Sequence, residues 1–202
     1  MLKPYIVHSI KFVLLLVTFA FSMVGTFYSY VEFGIGNIHY FTNQSNLLVF
    51  VVSFMMVFGF DKSKWFKALS SIALLDILLT GVVYNLLLRE YDRDFNEIKQ
   101  FLMLVTHTIV PILFTTLYFG FIQTEPLFKD IKLLWIHPTL YFLVAQIAGL
   151  FTGYYPYPFI SPEQGVFQML IVNFFIVFPI LTLTGLGLIG LKQWLNEHFN
   201  LV

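Results

Sequence analysis

The 202-residue chain contains no cysteine, which excludes disulfides, thiolate catalysis and cysteine-ligated zinc. Charge is scarce as well: 11% of residues are Asp, Glu, Lys or Arg, against about 25% in an ordinary soluble domain. Eleven basic and eleven acidic residues cancel to a formal net charge of zero, so there is no basic surface for nucleic acid and no nucleic-acid partner is expected. The same shortage excludes a soluble globule, whose surface needs far more charge. What is present is apolar. Hydrophobic residues make up 58% of the chain and mean hydropathy is +0.82, so lipid must be the solvent for much of it. The 25 Phe and 11 Tyr suit lipid-facing and headgroup-level positions.

Apolar runs of spanning length fall at about 10–31, 41–60, 66–88, 100–122, 133–151 and 165–191. They show no period of two, which excludes a closed β-barrel. The expected fold is all-α: a polytopic bundle of about six transmembrane helices forming one integral membrane domain over 1–202, in the cell membrane. The first run follows Lys3 and Lys11 and superficially resembles a signal peptide, but it is too long for one. Lys3, Lys11, Lys62, Lys64, Lys67, Lys129, Lys132 and Lys192 fall on one side of the expected bundle, and only Arg89, Arg93 and Lys99 on the other. By the positive-inside bias both termini are cytoplasmic.

Counted from the cytoplasmic helix ends at about 1.5 Å per residue, Thr42, Asn46, Asn85, His107 and Asn173 share an outer depth of about 21–27 Å on four helices. Polar groups are costly to face toward lipid, so one arrangement turns them inward around a shared cavity that opens outward. In the other, residues 42–46 cap a helix while Asn85 and Asn173 join helices by hydrogen bonds. Asp76 is the one carboxylate within an apolar run, near the midplane. It reads either as a proton or cation relay or as a buried acid bonded to a neighbour such as Thr80. Asn43-Gln44-Ser45 fits a glycosylation sequon but abuts an apolar run.

His107 precedes Pro111 by four residues. Proline has no N–H, so the carbonyl of His107 loses its usual donor and the helix bends beside the imidazole. The histidine is then either a base beside a cavity or a satisfied core residue. His39, three residues before Thr42, is the competing base, while His8, His137 and His198 read as interfacial, near the cytoplasmic ends. No two histidines have ligand spacing, so neither a metal nor any other cofactor is expected. Gly185-Leu186-Gly187-Leu188-Ile189-Gly190 fits GxGxxG only formally, because no strand precedes it, and it reads as close helix packing. The Tyr- and Pro-rich stretch 152–159 reads as an outer interfacial anchor or a cover over the cavity.

Tyr40-Phe41-Thr42, Thr106-His107-Thr108 with Pro111, and Tyr157-Pro158-Phe159 occur in the order and at the depth seen in the androgen-induced and androgen-dependent TFPI-regulating membrane proteins. The segments 41–47, 80–87 and 155–159 resemble the bacterial relatives of that family still more. The resemblance implies a multi-pass hydrolase acting on fatty acid esters of hydroxy fatty acids, with Thr42 matching the family's threonine nucleophile and His107 its histidine. The His107-to-Pro111 spacing is one residue shorter than in that family, which turns the proline about 100° around the helix relative to the histidine. The chemistry is coherent: a threonine hydroxyl needs a base, and neutral imidazole is the usual one near pH 7. Expected oxyanion donors are the amides of Gln44 and Asn46 or the hydroxyl of Tyr155, with Asn85 and Asn173 completing the substrate site. The expected partners are membrane lipid and a lipid ester substrate, and the oligomeric state is open. The competing class is a non-enzymatic lipid or small-molecule binder or transporter, which needs the cavity but not the nucleophile.

Overall fold

A computed structural model describes residues 4–92 and 94–199. Lys3 and Arg93 of the charge tally lie outside the described residues. Six helical rods follow one another among the described residues. Helix α1 runs Pro4–Met23, passes through a π-helical turn at Val24–Tyr28 and continues over Ser29–Phe33. Helix α2 is Phe41–Val57, and α3 is Phe66–Val83 followed by a π-turn at Tyr84–Leu88. Helix α4 runs Glu97–Leu104, a π-turn at Val105–Ile109 and Val110–Phe121. Helix α5 is Ile136–Thr152, and α6 runs Val166–Val172, a π-turn at Asn173–Val177 and Phe178–Phe199. Among the described residues there is no strand.

Five of these segments are long and apolar enough to cross a membrane: Tyr5–Phe33, Phe66–Leu86, Glu97–Phe121, Phe128–Thr152 and Val166–Phe199. The sixth, α2, has only 17 residues, about 25 Å of helix. Local chemistry sets the ends. Extended Tyr40 (φ −82°, ψ 134°) starts α2, and the Asn96 side chain caps α4 by accepting the Lys99 amide at 2.9 Å. Gly153, at φ 71°, stops α5 in the left-handed conformation, its amide returning to the Gly149 carbonyl at 2.8 Å.

The core lies among α1 to α4, where Val49, Val52, Leu74, Ile77, Val105, Val110, Phe114 and Leu117 pack together. Of the most apolar 18-residue stretch in each, 56% of residues are buried in α3 and 50% in α4, against 17% in α6, which mostly faces outward. Close packing explains two of the glycines: Gly185 stands against Ile131 and Leu134, and Gly149 against the ring of Tyr155. At one end of the bundle, Lys67 pairs with Asp130 at 2.9 Å, and buried Lys192 donates to the carbonyls of Tyr118 and Phe119 at 3.3 Å each. The opposite end holds the α1–α2, α3–α4 and α5–α6 connections and, just inside them, the polar residues expected from the sequence.

Candidate active site

The π-turns organise this end. In each of three of them an amide bonds five residues back instead of four: Arg89 to Tyr84, Val110 to Val105, and Phe178 to Asn173. Each shift disturbs the main-chain pairing of nearby carbonyls, and such turns are frequent at functional sites. In α4 the disturbance is doubled. The Val110 amide is taken by Val105, and Pro111 has no amide to give. The carbonyls of Thr106 and His107 therefore lose their usual main-chain donors. Two asparagines replace them: Asn46 of α2 donates to Thr106 O at 3.1 Å, and Asn85 of α3 donates to His107 O at 3.0 Å. Gly81 makes room for this, because a Cβ there would stand 3.1 Å from both His107 O and Pro111 Cβ.

These bonds fix the backbone of His107, and its side chain is fixed in turn. Nδ1 lies 3.0 Å from the carbonyl oxygen of Met103 and 2.9 Å from Thr106 Oγ1. Thr106 already donates its hydroxyl proton to Leu102 O at 2.8 Å. Both neighbours of Nδ1 are thus acceptors, so Nδ1 carries the proton and Nε2 presents a lone pair. That lone pair faces Thr42 Oγ1 at 3.2 Å, so the threonine hydroxyl donates to it. The Tyr84 ring stacks on the imidazole, centroids 3.8 Å apart and planes 21° from parallel. His107 is 7% exposed. The arrangement has three parts: a hydroxyl, an imidazole oriented to accept from it and, in place of the usual carboxylate, a main-chain carbonyl behind the ring.

Thr42 is the second residue of α2, next to a helix N-terminus, where the dipole favours developing negative charge. Beside the pair lies an almost wholly apolar cavity of about 130 Å³, lined by Phe41, Tyr84, Tyr141, Tyr157, Phe178 and Leu181 among others. On the other side of Tyr84 a more polar cleft of about 620 Å³ is lined by Asn85, Arg89, Glu97, Gln100 and Thr108.

The remaining sequence candidates go elsewhere. The cavity expected from shared depth brings together only some of these residues: His107 and Asn85 line one cavity of about 490 Å³ with Thr108 and Thr115, whereas Asn173 lines the apolar cavity. Asn46 and Asn85 are spent on α4 carbonyls, and Asn173, which lines the apolar cavity, donates to Phe159 O at 2.7 Å and Met169 O at 2.9 Å. Joining helices was the other reading of Asn85, and its hydrogen bond does so, as does that of Asn46, which was read there as part of a cap; Asn173 instead ties α6 to the turn at Pro158–Ile160. The Gln44 amide N–H is bonded to Tyr40 O at 3.4 Å, and the Asn46 amide lies inside α2, so neither is a free donor. Tyr155 packs on Gly149, whereas Tyr157, two residues on, lines the apolar cavity with Phe41.

The side chain of Gln44 points to the opposite face of α2. It donates to Ile38 O at 2.8 Å, which leaves Oε1 to accept from His137 Nε2 at 3.0 Å. His137 Nδ1 is 2.7 Å from Asp76 Oδ2. This corrects the interfacial placement of His137: the chain reaches His137 only well after Asp130, deep enough to meet Asp76. It also replaces Thr80, whose hydroxyl has no partner, as the neighbour of Asp76. His39 lines a groove of about 350 Å³ on the same side with Gln44, His137, Tyr141 and Tyr154. Tyr84, the Met103 carbonyl and the Asp76–His137 bond were missed from the sequence. The first adjoins Asn85 and could have been suspected, whereas a main-chain acceptor leaves no signal in residue identity. Comparison of the chain with family models, curated proteins and solved structures gives no match.

Proposed function

We propose that this protein is an intramembrane hydrolase of lipid esters, with Thr42 as nucleophile and His107 as base. The observation that carries this reading is the 3.2 Å approach of Thr42 Oγ1 to a His107 Nε2 whose lone pair is set by the Met103 carbonyl behind the ring. Thr42 Oγ1 adds to the ester carbonyl as His107 Nε2 takes its proton. The tetrahedral intermediate collapses by breaking the bond to the alcohol oxygen, which receives that proton from His107. Water, activated by the same imidazole, then frees the acid from Thr42. The apolar cavity beside Phe41 and Tyr84 suits an acyl chain, and the polar cleft across Tyr84 offers water a route. The resemblance noted in the sequence supports the same chemistry.

The excess of Lys on one side of the bundle supports cytoplasmic termini and a site in the outer half of a cell membrane. The test is treatment of purified protein with a fluorophosphonate, followed by mapping of the adduct. The hydrolase reading requires phosphonylation at Thr42 that His107→Gln slows. A binder or transporter built on the same cavity gives no adduct at any residue.

A further inference from the structure

Two of the cavities meet on the outer face of α3 and α4. The one of about 490 Å³ has Leu78, Val82 and Leu86 of α3 and Ile112 of α4 in its wall. The three α3 residues are spaced four apart, so they form one stripe about 12 Å long on a single face of the helix. Val82 is 52%, Ile112 61% and Leu86 75% exposed, all on segments apolar enough to cross a membrane. In a bilayer that stripe meets acyl chains. The polar cleft of about 620 Å³ shares Asn85 and Thr108 with this cavity. It stands at the α3–α4 connection, where the apolar segments Phe66–Leu86 and Glu97–Phe121 end. The two together form one groove, apolar along the helices and polar at the connection.

The polar end carries one charge of each sign. Arg89 and Glu97 both line the cleft, and among the described residues neither has an ion-pair or side-chain hydrogen-bond partner. Lys99, the other described cation of this connection, is engaged elsewhere, over the Phe33 ring at 5.3 Å. A purely anionic head in the cleft would meet Arg89 but be set against Glu97, and a purely cationic head the reverse. A head that joins a phosphate to an ammonium satisfies both. The guanidinium fork takes phosphate oxygens in pairs, and the carboxylate draws the ammonium.

We propose that this groove is a binding site for one zwitterionic phospholipid, with its phosphate on Arg89, its ammonium on Glu97 and one alkyl chain along Leu86, Val82 and Leu78. The lipid lies across the Asn85–Thr108 contact, a 3.2 Å bond that joins α3 to α4. The site is distinct from the apolar cavity beside Phe41 and Tyr84, and it does not require Thr42 to react.

The test is native mass spectrometry of the purified full chain in detergent, titrated with two hexadecyl ether lysophospholipids that have no ester to hydrolyse. One carries a phosphoethanolamine head and the other a phosphoglycerol head, which lacks the ammonium. Wild type should bind the phosphoethanolamine lipid about tenfold more tightly, as one charge-assisted contact implies. Arg89→Gln should weaken both lipids by about the same factor. Glu97→Gln should weaken only the phosphoethanolamine lipid and erase the preference. Neither side chain bonds to the rest of the described chain, so both variants keep the wild-type fold. Val82→Trp fills the apolar part of the groove and should cause a loss of affinity for both lipids. Equal wild-type affinity for the two heads would overturn the proposal, as would a preference that survives Glu97→Gln or binding that does not respond to Arg89→Gln. Unchanged binding in Val82→Trp would place the chain elsewhere and overturn it too.

Discussion

Asn85 Nδ2 donates at 3.0 Å to the carbonyl oxygen of His107, the oxygen that Pro111 leaves without an amide. The same nitrogen reaches Gly81 O at 2.8 Å, so one side-chain amide ties α3 to the bend of α4 behind the imidazole. Asn85→Leu leaves that carbonyl unsatisfied and should cost about 1–3 kcal/mol of stability. Thermal unfolding in detergent measures this. An unchanged melting temperature would show that the bend does not depend on Asn85.

Gly81→Ala tests the same contact from the other side. A methyl 3.1 Å from His107 O and from Pro111 Cβ meets backbone and a proline ring, neither of which yields as a flexible side chain does. Helix α4 must move away from α3, and His107 with it. Esterase turnover should fall by at least about tenfold, as a displacement of about 1 Å at a catalytic group can cost 10²-fold. Wild-type turnover would show that the imidazole is positioned independently of this packing.

Asp76 and His137 make the second prediction about stability. His137→Leu leaves the fully buried carboxylate without its 2.7 Å partner, a change that costs about 3–5 kcal/mol when a buried pair is broken on one side. The double variant Asp76→Leu/His137→Leu removes both polar groups and should recover most of the loss. A double variant as unstable as the sum of the two singles would rule out direct coupling between the residues.

A pH dependence follows from the loop tyrosines. Burial raises the phenols of Tyr154 and Tyr157, and the 2.6 Å bond from Tyr154 to the Tyr40 hydroxyl adds to the shift of Tyr154. Above pH 10, the ordinary tyrosine value, the unfolded chain loses protons that the folded chain keeps, so folding becomes less favourable as pH rises. The contribution is full below pH 10 and is lost above it. Melting temperature measured from pH 8 to 12 should therefore decline more steeply in wild type than in Tyr154→Phe/Tyr157→Phe, and parallel curves would contradict this.

Membrane class and the helical runs were legible in the sequence because burial in lipid demands long apolar segments, and composition reports that directly. Thr42 and His107 could be paired by depth, since 1.5 Å per residue is a reliable ruler along a helix. Depth does not report azimuth. Asn46, Asn85 and Asn173 share a level with the pair, yet their amides turn to carbonyls, because the π-turns that free those carbonyls have no marker in residue type. Azimuth also separates Gln44 from Thr42: two residues apart on one helix, they lie about 200° around it and face different neighbours. Tyr155, expected at the site, turns to Gly149 instead, a placement that no helical period could report in a proline-rich loop. His137 was misplaced because the run 128–136 brings the chain well into the bundle before α5 begins.

The central claim is that Thr42 Oγ1 is a nucleophile, and the most direct measurement is the rate of ester hydrolysis by purified Thr42→Val and Thr42→Ser beside wild type. Valine keeps the shape and removes the oxygen, whereas serine keeps the oxygen. The account predicts part of the activity for Thr42→Ser and, for Thr42→Val, a loss at least as large as the roughly 10²- to 10⁴-fold loss on removing the base. A Thr42→Val protein that folds and hydrolyses the ester at the wild-type rate would contradict it.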